Sequence, residues 1–173
     1  MHKQKNLLIK WIFIYECLNK YNPDINLSSL NIGIDTSNGA ASKVSEYIYS
    51  KLGCNYHIIN NKPNGTNIND NCGSMHPEVL KDYIIKNKLD GGVCYDGDAD
   101  RSIFIDELGN IIDGDYIMSI IGLDLKKKEK LNNNTIVGTV MNNLGFINFC
   151  KENKINFIAT KVGDRYVLEE MLR

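Results

Sequence analysis

The sequence has no cysteine pattern that would build a disulfide framework or hold a zinc ion. Its cysteines are odd in number and widely spaced, with no Cys-x-x-Cys pair and no histidine-rich companion set of zinc-ligand spacing. We therefore expect reduced thiols in a cytoplasmic protein. The five are Cys17, Cys54, Cys72, Cys94 and Cys150.

A charge excess of either sign is also absent. The formal net charge is -1 and the pI is near 6.3. No global basic field is available to hold a nucleic acid backbone, and the lysine run at 126–128 is too local to supply one. With 43% apolar and 24% charged residues, the composition is that of an ordinary globular protein, which argues against disorder.

Long apolar runs are lacking as well. The apolar stretch at 7–15 is interrupted by Lys10, is followed by no small-residue cleavage site and is too short to cross a membrane. Leu7, Trp11, Ile14 and Leu18 fall on one helical stripe, which predicts an amphipathic helix packed on a domain. We expect no membrane partner.

From residue 30 onward, short β-rich runs alternate with helical segments, which is typical of an α/β fold with mixed sheets. Residues 61–74 are polar and asparagine-rich and predict a long loop. Strands are predicted at 30–35, 54–60, 91–95, 102–106, 111–112, 135–140 and 155–160, with the fourth and fifth forming a hairpin. Helices are predicted at 40–52, 77–88, 115–125, 144–152 and from a cap at Asp164 onward.

Two units are predicted, at 1–106 and 107–173. The second ends after strand, helix, strand and helix, which is small for a self-sufficient domain. We therefore expect it to be part of a larger domain.

The most informative segment is the acidic loop Asp96-Gly97-Asp98-Ala99-Asp100-Arg101, which follows an apolar strand. Three carboxylates at alternate positions repel one another unless a cation lies among them, and all-oxygen ligation suits Mg²⁺. The adjacent arginine suggests a second anion, since a guanidinium binds phosphate in a bidentate fashion. Metal and arginine together indicate phosphoryl chemistry.

Two other sites share this local pattern. An EF-hand loop would need glycine at its sixth position, where this sequence has Arg101, and its flanks would be helices, so we reject it. A haloacid-dehalogenase-type phosphatase also places Asp-x-Asp after an apolar strand, with the first aspartate as nucleophile. That alternative stays open on the local pattern alone.

Six further segments, three before the acidic loop and three after it, matter for their order and spacing along the chain. Together with the loop, they resemble phosphohexose mutases of the phosphoglucosamine mutase type. Ala99 stands where this subfamily more often has glycine. The segments are DTSNGA at 35–40, NGTNIN at 64–69, CGSMHPE at 72–78, GNIIDGD at 109–115, VGTVM at 137–141 and KVGDRYV at 161–167.

The resemblance implies the second domain of a four-domain phosphohexomutase, with the metal-binding loop, followed by part of the third domain. The family's active-site serine lies in a TxSHNP-like motif of the first domain, and its sugar-contacting loop is written GExSGH. Neither motif occurs in this sequence. We therefore expect the isolated chain to lack mutase activity and to need the remaining mutase domains or a complementary chain as partner.

The activity implied is an intramolecular phosphotransferase reaction that interconverts glucosamine 6-phosphate and glucosamine 1-phosphate, in the amino-sugar metabolism that leads to peptidoglycan precursors. Mg²⁺ on Asp96, Asp98 and Asp100 would serve the phosphoserine, and Arg101 would hold the same phosphate. Lys161 is implied as a general acid or base, and Arg165 as a contact to the hexosamine phosphate.

Weaker features have simpler interpretations. His76 is expected to orient the loop before a helix, and Asn38-Gly39 is expected to form a turn without a ligand. A non-catalytic module that binds a metal ion or a sugar phosphate, either a remnant or a split subunit, stays open as a function for the chain alone.

Overall fold

The computed structural model describes Lys20 and residues 26–173. The amphipathic stripe of Leu7, Trp11, Ile14 and Leu18 lies outside the described residues. The described chain divides into two compact units between Ile111 and Ile112, where the sequence had suggested a division after residue 106. Within the described ranges, no helix has the length and apolar character needed to cross a bilayer.

The first unit contains a five-stranded mixed sheet of order β2-β1-β3-β4-β5. Strands β1, β2 and β3 are parallel, whereas β4 runs antiparallel to β3. The hairpin of β4 and β5 is confirmed. The bounds are Asn31–Asp35 for β1, Asn55–Ile59 for β2, Gly91–Tyr95 for β3, Ser102–Asp106 for β4 and Ile111–Ile112 for β5.

Two helices belong to this sheet, α1 at Ala41–Leu52 and α2 at Pro77–Asn87. Helix α1 ends at Gly53, whose φ of 77° is the left-handed conformation predicted from the sequence. Helix α2 begins at Pro77, because proline's fixed φ and missing N–H suit the first helical turn. The loop before α2 contains a short 3₁₀ turn, Gly73–Met75, that the sequence did not indicate.

The core of this unit forms where α2 meets the sheet. Leu80 and Ile84 of α2 are fully buried, together with Leu89, Cys94 and Ile105. A Cβ atom on Gly33 would lie 2.9 Å from Leu80 Cδ1, and one on Gly92 would lie 2.9 Å from Ile84 Cδ1. Glycine in β1 and β3 therefore allows α2 to approach the sheet closely.

In the second unit, helices pack against a parallel pair of strands, β6 at Thr135–Thr139 and β7 at Asn156–Thr160. The rings of Phe146 and Phe157 meet edge to face in its core, with centroids 5.3 Å apart. The helices are α3 at Gly114–Lys127, α4 at Leu144–Glu152 and α5 at Asp164–Met171.

Capping explains where the second unit's helices differ from the prediction. Helix α3 begins at Gly114 rather than Asp115, because the Asp113 carboxylate accepts hydrogen bonds from the backbone N–H groups of Asp115 and Tyr116. The prediction that Asp164 caps the last helix is wrong. Gly163 occupies the cap position. Asp164 lies in the first turn, where its negative charge interacts favourably with the positive end of the helix dipole.

Candidate metal centre

The acidic loop lies where the parallel strands end. Because β1, β2 and β3 run in the same direction, their carboxyl ends meet at one edge of the sheet, which is where α/β proteins commonly bind ligands. The loop leaves β3 after Tyr95 and returns as β4. Two backbone hydrogen bonds close it, one from Asp96 N to Arg101 O of 3.2 Å and one from Ala99 N to Asp96 O of 3.1 Å.

Closing the loop requires one residue in the left-handed region. Ala99 has a φ of 63°, a conformation that glycine adopts without strain and that alanine adopts at a cost. Glycine at this position would therefore relieve the backbone strain that Ala99 carries.

The loop brings three carboxylates together. Asp96, Asp98 and Asp100 each offer an oxygen within 4.8 Å of the others. Asp96 is buried, with only 2% of its surface accessible, whereas Asp98 and Asp100 are exposed. The arrangement is a set of oxygen donors that is open on one side to solvent.

Arg101 pairs with the buried member of this set. Its Nε donates to Asp96 Oδ2 at 2.9 Å, and its backbone N–H donates to Asp96 Oδ1 at 3.1 Å. Neither bond uses the terminal η nitrogens of the guanidinium, and the side chain is 71% exposed. Those nitrogens can therefore still bind an anion.

The surroundings of the loop shift the pKa values of Asp96 and Asp100 in opposite directions. Burial is the largest single influence on Asp96 and raises its pKa. Hydrogen bonds from the Arg101 backbone and side chain, a hydrogen bond with Asp100 and the Arg101 charge together outweigh burial and lower the pKa to about 2. The Asp98 charge, more than any other influence, raises the pKa of Asp100. Repulsion between the exposed carboxylates is thus not relieved by Arg101 alone.

Residues far away in sequence support the loop. A Cβ atom on Gly97 would lie 2.7 Å from the side chains of both Ile68 and Asn69, so the polar segment after β2 packs directly on the loop. The Ser37 hydroxyl donates to Tyr95 O, the last carbonyl of β3. Sequence reasoning missed Ser37 because it assigned 37–39 to turn formation only. A run of small polar residues after a buried parallel strand was the available signal.

Lys161 and Arg165 belong to the second unit. Lys161 follows β7, and its Nζ lies 5.9 Å from the centroid of the Tyr166 ring. Arg165 lies in the first turn of α5, and its Nε donates to Glu169 Oε1 at 2.7 Å. Both side chains are exposed, and their suggested roles stay predictions.

His76 precedes α2, where the sequence had suggested an orienting role. Its Nδ1 lies 3.0 Å from Glu78 Oε1 in the first turn of that helix. Backbone and His76 hydrogen bonds lower the pKa of Glu78. The contact joins two largely exposed side chains at the start of α2, and the orienting role of His76 stays a prediction.

Two sequence families match consecutive parts of the chain. Residues 13–109 match "Phosphoglucomutase/phosphomannomutase, alpha/beta/alpha domain II", and residues 113–173 match the corresponding domain III. The chain belongs to the phosphoglucomutase/phosphomannomutase family. The predicted α/β fold, comprising the second domain and the third-domain segment of a phosphohexomutase, is confirmed.

Among curated relatives, the phosphoglucosamine mutase of Clostridium botulinum (strain Loch Maree) is 53% identical over 148 residues, which are 86% of this chain and 33% of that protein. The enzyme of Clostridium novyi is 54% identical over 151 residues, again 33% of its length. The chain therefore spans about a third of the length of the curated relatives it matches.

A solved structure with the same fold is Aspergillus fumigatus N-acetylphosphoglucosamine mutase in complex with GlcNAc-6P and magnesium. It is 19% identical, with a TM-score of 0.64, over 87% of this chain and 34% of that one. This likeness shows that the chain shares the fold of that structure.

Proposed function

We propose that this chain supplies the metal-binding part of a phosphohexose mutase that interconverts glucosamine 6-phosphate and glucosamine 1-phosphate. The observation that carries the proposal is the convergence of Asp96, Asp98 and Asp100 within 4.8 Å beside Arg101, in a chain of this family. Identity of 53% to a phosphoglucosamine mutase supports an amino sugar as the substrate.

The residues present fit Mg²⁺. All the donors are carboxylate oxygens, which this hard cation prefers, and the open side leaves room for water or phosphate oxygens in the remaining positions. A cation would also relieve the repulsion by which Asp98 raises the pKa of Asp100. When bound, the ion would neutralise charge on the phosphoryl group in transfer.

Three basic side chains of this chain are proposed to act on the phosphate and on the sugar. Arg101 would bind phosphate oxygens through its η nitrogens while Nε keeps Asp96 in place. Lys161 would exchange a proton with a sugar hydroxyl, and Arg165 would contact the substrate phosphate. Their exposure, at the end of β7 and in the first turn of α5, supports these roles.

The whole reaction needs more than this chain carries. A phosphoserine from another mutase domain, on the same polypeptide or on a complementary chain, is the proposed donor of the transferred group. The four cysteines of the described residues are free and buried, which supports a cytoplasmic location.

Calorimetric titration with Mg²⁺ tests the metal site. We expect the unmodified chain to bind, Asp98→Asn to lose binding, and the matched variant Asp82→Asn, an exposed aspartate of α2, to bind normally. Repeating the titration with free O-phosphoserine supplies the phosphate oxygen that the missing domain would contribute. No binding in either titration would overturn the metal site.

A second assay separates the mutase from a phosphatase. The chain is incubated with glucosamine 6-phosphate and Mg²⁺, and inorganic phosphate is measured. We expect no release, because a mutase module transfers the phosphoryl group to and from a serine and not to water, and this chain does not carry that serine. Release that Asp96→Asn abolishes would refute the mutase assignment, and a phosphoaspartate at Asp96 would identify that residue as a nucleophile.

A further inference from the structure

The turn after β1 contacts the backbone on both sides of Asp96. The Ser37 hydroxyl donates to Tyr95 O, the carbonyl that directly precedes Asp96. The backbone N–H of Ala40 donates to Gly97 O, in the peptide group between Gly97 and Asp98, at 2.8 Å. The turn at 36–40 therefore holds the peptide group before Asp96 and the peptide group before Asp98.

A buried carboxylate in turn holds Ser37. Asp35, with no accessible surface, accepts a hydrogen bond from Ser37 N at its Oδ1 atom, and from Gly73 N and Asn60 Nδ2 at its Oδ2 atom, each 2.9 Å long. Ser37 itself is fully buried and has a φ of 53°, so its backbone is held in a conformation that serine rarely adopts.

Glycines close the space around this contact. A Cβ atom on Gly73 would lie 1.6 Å from Ser37 Oγ and 2.5 Å from Tyr95 O. On the other side of Asp96, a Cβ atom on Gly39 would lie 2.2 Å from Gly97 O. Glycine at positions 73 and 39 is therefore needed for the backbone to come this close to Ser37 and to the loop.

We propose that Ser37 is a positioning residue for the metal loop. Together with Gly39, it sets the orientation of Asp96 and thus the separation of the three carboxylates. This inference rests on the proposed binding of a divalent cation at Asp96, Asp98 and Asp100. Ser37 acts through the backbone and does not touch the ion.

The property that Ser37 and Gly39 should affect is the selectivity of the loop for one cation over another. Mg²⁺ demands near-octahedral geometry at about 2.0–2.1 Å, whereas Ca²⁺ accepts about 2.3–2.6 Å and irregular coordination. Without the contact to Ser37, the loop would still offer three carboxylates, but their separations would be less exact. Loss of this contact should therefore weaken the binding of Mg²⁺ more than the binding of Ca²⁺.

The experiment compares Mg²⁺ and Ca²⁺ titrations of the whole chain with those of two variants. Ser37→Ala removes the bond to Tyr95 O, and Gly39→Ala pushes on Gly97 O. In Ser37→Ala, the loss of about one net hydrogen bond should give roughly three- to ten-fold weaker Mg²⁺ binding and less than about two-fold weaker Ca²⁺ binding. Gly39→Ala should shift the ratio of the two affinities in the same direction. Ser42→Ala is the control, because Ser42 is a buried serine at the start of α1 whose hydroxyl lies 3.2 Å from Thr36 Oγ1 and does not contact the metal loop.

The ratio of the two affinities separates positioning from simple destabilisation. Loss of folded protein would weaken both ions equally and would lower the melting temperature in parallel. Equal losses, or unchanged Mg²⁺ affinity in both variants, would overturn the role of Ser37. Failure of the unmodified chain to bind either ion would instead overturn the metal site on which this inference rests.

Discussion

Nε of Arg101 lies 2.9 Å from Oδ2 of Asp96, and this ion pair joins a guanidinium that is 71% exposed to a carboxylate side chain that is only 3% exposed. Both Asp96 oxygens accept hydrogen bonds from Arg101. The buried charge is therefore compensated within the protein itself. A metal ion at Asp96 would share that carboxylate with the guanidinium.

Removing the guanidinium should make the loop depend on metal. In Arg101→Ala, Asp96 stays buried without a cation, so the metal-free chain should melt at a lower temperature than the unmodified chain. Added Mg²⁺ should then raise the melting temperature more in the variant, because the ion takes over the neutralisation. Scanning calorimetry in EDTA and then in excess Mg²⁺ measures both effects.

Arg165→Ala is the matched control, since Arg165 is 84% exposed and pairs with a half-exposed glutamate on its own helix. Its melting temperature and its response to Mg²⁺ should equal those of the unmodified chain. An Arg101→Ala variant with the same two values would show that Asp96 does not need this partner.

Ala99→Gly should stabilise the first unit. Ala99 is exposed and has a φ of 63°, so glycine relieves backbone strain without losing a packing contact. The relief is partly offset by the greater freedom of glycine in the unfolded chain, and we expect a gain of up to about 1 kcal/mol in the free energy of unfolding. Urea denaturation measures it. Ala99→Val should move the stability in the opposite direction, and stabilisation by valine would contradict the strain argument.

Local chemistry made most elements predictable from the sequence. Gly53 ends α1 in the left-handed conformation, Pro77 begins α2, and strand β3 occupies the predicted residues. The carboxylate cluster was predictable for the same reason, since Asp96, Asp98 and Asp100 are neighbours in one short loop. Side chains that are only two residues apart in a short loop can take few positions relative to one another.

The supporting contacts could not be predicted in this way. Ser37 and Tyr95 are 58 residues apart, and they meet only because β1 and β3 pair as parallel neighbours in the sheet. Arg101 was expected to hold a phosphate, while the structure also gives it an internal partner in Asp96. That pairing depends on the burial of Asp96, which spacing alone does not reveal.

The acid sensitivity of the first unit should depend on Asp106. A side-chain hydrogen bond from Asn110 is the main reason that the pKa of Asp106 is lowered from 3.8, and backbone N–H groups of Asn110, Leu108 and Gly109 add to it. The folded pKa is below the unfolded one, so this stabilisation is present above the unfolded pKa and is lost as the pH falls through the folded pKa.

Asp106→Asn removes the charge but keeps the size of the side chain. Its free energy of unfolding should fall less steeply than that of the unmodified chain as the pH drops from neutral to about 2. Urea titrations across this range measure the slope. Asp82→Asn, at an exposed position of α2, serves as control. Parallel pH profiles for Asp106→Asn and the unmodified chain would rule out this contribution.

Arg165 offers a test of substrate contact that is separable from stability. Its ion pair with Glu169 is exposed, so Arg165→Ala should change the free energy of unfolding by less than about 0.5 kcal/mol. The same change should weaken the binding of glucosamine 6-phosphate, because the guanidinium that we propose binds the phosphate is lost. Chemical-shift titration of the chain with this sugar phosphate measures the affinity.

Arg173→Ala is the matched control for this test, since Arg173 also pairs with a glutamate at helical spacing, Glu170, at the other end of α5. Both variants remove one positive charge from the same unit, so a general electrostatic effect would weaken binding equally in the two. A selective loss in Arg165→Ala locates the phosphate near the start of α5. Equal losses would mean that net charge, and not a specific contact, attracts the ligand.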